Sequence, residues 1–186
     1  TINFKRPWKR YTMYEAIEHF TGIDISKMDE AKMSQTAKKL GVEVDKSMGR
    51  GKLIDEIFGK KCEGELIQPT FIIDYPVEMS PLAKKHRSNK SLVERFELFI
   101  GGMEIANSFS ELNDPDDQVE RFLEQSKLKE SGDEEAQMMD QEFINALQIG
   151  MPPTGGVGIG VDRLIMLLLG LSSIRDVIIF PAMRKY

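Results

Sequence analysis

The chain has 186 residues, 25 Lys plus Arg against 30 Asp plus Glu for a net charge of -5, and 41% hydrophobic residues. This is a globular composition, sufficient for one sizeable core with a small appended subdomain, and it excludes a disulfide-stapled miniprotein and a disordered tail. Cys62 is the only cysteine, so neither a disulfide framework nor a cysteine-based metal cluster is expected, which suits a reducing cytoplasm. The longest apolar run, Leu164 to Leu171, is far shorter than the roughly 20 residues that cross a bilayer, and the amino end shows no basic-then-apolar signal pattern. No membrane partner is expected, and a slightly acidic chain argues against general coating of nucleic acid.

Residues 12–60 carry helical spacing: Met13, Ala16, Ile17 and Phe20; Met33, Ala37 and Leu40; Leu53, Ile57 and Phe58. Thr12 and Ser34 are the expected caps and Gly22, Gly41 and Gly59 the expected stops, with Ser47-Met48-Gly49-Arg50-Gly51 as a loop between helices. The period changes at Gln68. Thr70-Phe71-Ile72-Ile73-Asp74-Tyr75 is β-branched and aromatic, reads as a strand, and is closed by Pro76. Residues 77–92 read as a loop whose basic cluster, Lys84-Lys85-His86-Arg87, is expected to be solvated.

Glu94 to Ile100 and Met103 to Ala106 flank Gly101-Gly102, the signature of a two-residue hairpin turn. Polar-apolar helical stretches follow at 115–130 and 134–148, the first with Asn113-Asp114-Pro115 as its cap and first turn. A glycine-rich strand over 154–160 then runs into a Leu-rich helix over 162–169.

In a regular hairpin Ile100 faces Met103, Phe99 faces Glu104 and Glu97 faces Ala106, which leaves Glu97 and Glu104 as diagonal neighbours on one face. Two readings stay open for that acid pair. One is a solvent-facing sheet edge, and the other is a magnesium site beside substrate phosphates. The glycine run 155–160 ahead of Asp162-Arg163 fits neither GxGxxG nor the phosphate loop. It offers either bare backbone for a planar ring or phosphate facing a helix-start arginine, or only close strand–helix packing.

Asn107, Phe109 and Glu111 would fall on the face opposite Glu104 if the strand continued regularly, so one shared pocket requires a break or bulge near Ala106. His19 and His86 lie in no metal or nucleophile motif and are assigned no role.

Three blocks together resemble the second half of a class II lysyl-tRNA synthetase catalytic domain, over essentially the whole chain. The first two are Gln68-Pro69-Thr70-Phe71-Ile72-Ile73-Asp74-Tyr75-Pro76 with Ser80-Pro81-Leu82-Ala83, and Phe96-Glu97 through Gly101-Gly102-Met103-Glu104-Ile105 to Ser110-Glu111-Leu112-Asn113-Asp114. The third, Gly156-Val157-Gly158-Ile159-Gly160-Val161-Asp162-Arg163-Leu164, looks like the third signature motif of the class. The resemblance implies an α+β fold, an antiparallel sheet flanked by helices, with a helical insertion over residues 24–64. It implies a cytoplasmic, homodimeric enzyme that uses ATP and Mg2+ to form lysyl-adenylate and then charges tRNA(Lys).

On matching positions, Glu97 and Glu104 would bind magnesium and the ATP phosphates, Asn107 the lysine carboxylate region and Glu111 the lysine ammonium, while Phe109 would line the side-chain pocket. Gly158 and Gly160 would form the pocket floor. Arg163 would lie against ATP, on adenine or at the γ-phosphate, and stabilise transition-state charge without acid–base work. The first and second signature motifs and an anticodon-binding barrel are not in this chain, so it is expected to be an inactive fragment. The alternatives are a paralogue that modifies a protein with lysine-like groups and a non-catalytic RNA-binding or regulatory module of the same fold.

Overall fold

A computed structural model of the chain describes residues 1–45, 47–133 and 136–182. Among these residues five strands form one sheet in the order β1 (Lys9–Thr12), β2 (Thr70–Ile73), β3 (Arg95–Ile100), β4 (Met103–Ser110), β5 (Gly155–Ile159). Four strands pair antiparallel as expected, but β1 pairs parallel to β2, so the sheet is mixed. Sequence reading assigned no strand before Thr12. Lys9-Arg10-Tyr11 is too short and too charged to show an apolar alternation, and it extends only because β2 offers it a free edge.

Among the described residues six α-helices flank the sheet: α1 (Met13–Thr21), α2 (Glu30–Lys39), α3 (Arg50–Lys61), α4 (Pro115–Glu130), α5 (Gln141–Ile149) and α6 (Val161–Leu169). None of the described helices is long and apolar enough to cross a membrane.

Local chemistry sets most of the helix ends. Thr12 caps α1 in a reciprocal box with Glu15, and Gly22 ends it. Asp114 caps α4 with Pro115 in the first turn, the expected arrangement. Several expectations fail here. The loop expected over Ser47-Met48-Gly49-Arg50-Gly51 ends at Gly49, the N-cap of α3, so Arg50 and Gly51 are helical. Asp29, not Ser34, caps α2, leaving Ser34 inside the helix, and Gly59 lies within α3 because the Phe58 and Cys62 packing on either side outweighs the cost of a mid-helix glycine. Residues 136–140 are not helical; α5 starts where Asp140 caps it, and Glu134 and Glu135 of the expected stretch lie outside the described residues.

The core forms where α1 and α3 pack on one half of one sheet face. Met13, Ala16, Ile17, Ile54, Ile57 and Phe58 meet Ile72 and Phe99 there, all buried. Phe58 and Phe99 make a T-shaped contact at 5.5 Å, which marks the border of the covered half. Beyond it, the β3–β5 half of the same face is left for the site. The 77–92 loop is held against α4 by buried polar groups: Gln118 Nε2 donates to the Pro81 carbonyl (3.0 Å) and Arg121 Nη1 to that of Val77 (3.2 Å).

Phe58→Ala should cost about 3–5 kcal/mol of unfolding free energy, measured by urea denaturation, because it removes the aromatic that joins α3 to the sheet and leaves a cavity.

Candidate active site

The hairpin turns on Gly101 and Gly102, whose φ values of 65° and 72° are those that a two-residue hairpin loop with both central residues left-handed requires. Ile100 pairs Met103 and Phe99 pairs Glu104, as expected. The expected Glu97–Ala106 pair does not form. The register shifts between Leu98 and Phe99, so Leu98 pairs Ala106 and Glu97 pairs Asn107, leaving Ile105 as an extra residue in β4.

That is a β-bulge, and both Ile105 and Ala106 are buried in it, where a regular strand would expose one of them. Directly paired residues share a face, so Asn107 lies beside Glu97 and Phe109 beside Arg95, on the face that also carries Glu104. The break that a single pocket requires is therefore present, one residue before Ala106.

The bulge is tied to the glycine-rich motif. The Gly160 N–H donates to the Ile105 carbonyl (2.9 Å), and Arg163 Nη1 donates to the Glu104 carbonyl (2.8 Å) and to its carboxylate (3.2 Å). Gly160 lies under Arg163, whose Cβ and Cδ stand 3.5 Å from where a Gly160 side chain would begin. The Arg163–Glu104 pair is partly exposed and so only weakly held, and both groups can turn to a ligand.

Glu97 is gripped at both oxygens: Arg95 Nη2 donates to one and the Tyr75 hydroxyl to the other (2.7 Å). Burial pushes the Glu97 carboxyl above its ordinary value, the Arg95 charge and the Tyr75 hydrogen bond pull it back, and the Glu104 charge adds to the rise. Glu63, in the 3-10 turn Glu63–Glu65, is pushed up too, first by burial and then by the charges of Glu97 and Glu104.

Among the described residues no three His, Cys, Asp or Glu side chains converge as a metal cage. Glu97 and Glu104 alone would supply one or two carboxylate ligands. That donor set fits magnesium, which usually takes its remaining oxygens from water and phosphates.

At the other end of the strip Glu111 is half-buried, and its carboxylate has no hydrogen bond or ion pair among the described residues. It lies over Gly156, where an added Cβ would fall within the space of the Glu111 carboxylate, so only glycine leaves that group where it is. Gly158 pairs with Asn107, and a Cβ there would meet nothing nearer than the Asn107 carbonyl at 3.9 Å. Gly158 is exposed, so the strip from Arg163 to Glu111 is an open sheet surface. A cavity of about 420 Å³ adjoins Glu111 and Ser110, and a larger one of about 690 Å³ adjoins Tyr75, Arg95 and Glu97 beside α3 and α4.

Sequence reading missed Arg95, Tyr75 and Glu63, and it did not single out Gly156 within the glycine run. Arg95 was detectable, since a strand places residues two apart on one face and Arg95 stands two before Glu97. Tyr75 and Glu63 arrive from other elements, and no local spacing announces them. The basic cluster is also less solvated than expected. Lys84 donates to Asn113 (2.7 Å) and Lys85 pairs with Asp117 (2.8 Å), leaving only Arg87 of the four exposed.

Arg87 (2.6 Å) and Ser110 (2.8 Å) donate to opposite oxygens of Glu94 and hold its carboxyl down at about 2. A depressed carboxyl stabilises the fold above its ordinary pKa, and the contribution fades as pH falls through that range toward about 2. Urea denaturation between pH 5 and 2, limits of about that interval, should show a shallower acid loss of stability in Glu94→Gln than in the unsubstituted protein.

Residues 1–184 match the family described as tRNA synthetases class II (D, K and N). The chain is similar to the lysine–tRNA ligase of Porphyromonas gingivalis strain W83, 63% identical over 183 residues that make up 98% of this chain and 32% of the relative. It is 59% identical to that of Christiangramia forsetii over 98% of this chain and 32% of the relative. It is 57% identical to that of Carboxydothermus hydrogenoformans over 98% of this chain and 38% of the relative. The chain thus spans about a third of the length of the curated relatives it matches. With a glycine-rich strand tied through the Ile105 bulge to a paired-acid hairpin, and residues 1–184 matching the family, the chain belongs to the class II tRNA synthetases of the D, K and N group.

Proposed function

We propose that the full-length protein carrying this chain is a lysine–tRNA ligase, joining lysine to ATP as lysyl-adenylate with release of pyrophosphate and then passing the lysyl group to tRNA(Lys). One observation carries the assignment of lysine: Glu111, a half-buried carboxylate with no ion pair among the described residues, held over a glycine at the far end of a strip whose near end pairs Glu104 with Arg163. A carboxylate in that setting calls for a cationic ligand. The lysine–tRNA ligases similar to this chain support the same reading.

In this reading the lysine ammonium meets Glu111, its alkyl stem lies along Phe109, and its carboxylate comes to Asn107 over Gly158. Glu97 and Glu104 face the phosphates, with Gly160 and Arg163 beside them. Magnesium held by the two glutamates would neutralise phosphate charge. The lysine carboxylate is its own nucleophile, so the protein holds it in line with the α-phosphorus, and Arg163 balances the charge that develops as pyrophosphate leaves. No general base is needed.

The single buried Cys62 and the absence of any second cysteine fit work in the cytoplasm. Homodimerisation and a helical insertion spanning residues 24–64, which here contains α2 and α3, belong to the same proposal.

Amino-acid-dependent ATP–pyrophosphate exchange by the full-length protein tests the reading. Lysine should stimulate exchange, these 186 residues alone should give almost none, and exchange indifferent to lysine would overturn the assignment. Glu111→Gln should raise the KM for lysine about 10- to 100-fold, the worth of one charge-assisted hydrogen bond. Gly156→Ala should raise it through displacement of the same carboxylate, with the KM for ATP little changed.

A further inference from the structure

We propose that Arg95 is a positioning residue that sets the nucleotide half and the amino-acid half of the site in register, through Glu97 on one side and Asn107 on the other. The proposal rests on the lysine-activation reading above. The Arg95 side chain is 17% exposed and engages five groups. Nη2 donates to Glu97, Nε to Asn107 Oδ1 (3.1 Å), and Nη1 to Ser80 Oγ (2.8 Å) and the Met79 carbonyl (3.2 Å). The guanidinium also stacks on the Tyr75 ring at 4.5 Å, and that ring's hydroxyl holds the second oxygen of Glu97. Arg95, Tyr75 and Glu97 form a closed triangle anchored to the 77–92 loop.

Asn107 gains its chemical identity from this contact. A guanidinium has donors and no acceptor, so the amide atom facing it must be the oxygen. The amide nitrogen of Asn107 is then left to point away from Arg95, as a donor that a ligand carboxylate accepts. Without the guanidinium the amide can rotate and present its oxygen instead, which repels a carboxylate. Because Glu97 and Asn107 are directly paired across β3 and β4, one planar fork fixes both. A lysine in its place carries the charge but not the fork, and so can hold Glu97 without orienting Asn107.

The test uses the full-length protein and lysine-dependent ATP–pyrophosphate exchange. Arg95→Ala should raise the KM for lysine and the KM for Mg·ATP together, each about tenfold or more, and added guanidinium should reverse much of both. Arg95→Lys should recover the KM for Mg·ATP while the KM for lysine stays high. In an Asn107→Ala background, Arg95→Lys should cause no further change in the KM for lysine, since the path through Asn107 is already gone.

If Arg95→Ala does not fold, Arg95→Lys and the double substitution decide the matter alone. An unchanged KM for lysine in Arg95→Lys, additive effects with Asn107→Ala, or a folded Arg95→Ala protein that ignores guanidinium would overturn the proposal. Absence of lysine-dependent exchange in the unsubstituted protein would instead overturn the lysine-activation reading, and this proposal with it.

Discussion

One extra residue in β4 governs the arrangement of this site. A β-strand alternates its side chains, so a regular hairpin would put Glu104 on one face and Asn107, Phe109 and Glu111 on the other. Ile105 breaks the count, and the residues after it change sides. A bulge disrupts the local ladder, and here the disruption is repaired from a distant segment. The Ile105 and Glu104 carbonyls accept from Gly160 and Arg163, at the start of α6. The glycine-rich segment before α6 therefore completes the hairpin's hydrogen bonding.

A second constraint is electrostatic. Placing Glu97 and Glu104 on one partly buried face raises the cost of ionising Glu97, and Glu63 adds a third acid nearby. The Arg95 guanidinium and the Tyr75 hydroxyl offset that cost, while Arg163 pairs with Glu104 at the other end. The result is an acid pair held in place by hydrogen-bonding partners that leave one edge of it open. Such an arrangement suits a ligand that brings its own positive charge, a metal ion above all. By contrast Glu111 makes no ion pair among the described residues, which leaves its carboxylate open to a partner from outside.

The covered and open halves of the sheet follow from the same economy of burial. α1 and α3 bury Ile72 and Phe99 and stop at the Phe58–Phe99 contact. Past that line the face carries Glu97, Asn107 and the bare backbone of β5, with Phe109 the large apolar side chain among them. The polar clamp from α4 onto the 77–92 loop then keeps Tyr75 and Ser80 beside Arg95, so a helix some distance from the strip still shapes it.

Much of this was legible in the residues themselves. The Gly101-Gly102 turn, the Thr12 and Asp114 caps, the β2 run and the glycine strand ahead of α6 depend on neighbours within a few positions, and local chemistry is sufficient to specify them. So was the acid pair on the hairpin, and so was the condition that a shared pocket needs a bulge. The bulge itself, the parallel pairing of β1, the continuation of α3 through Gly59, and the meeting of Tyr75, Arg95 and Glu97 were settled only by tertiary structure. Each depends on a partner far along the chain: Gly160 for Ile105, β2 for Lys9–Thr12, the surrounding core for Gly59. Sequence spacing determines which face a residue takes within its own element, whereas register between elements is a balance of pairing and burial that only the assembled fold can strike.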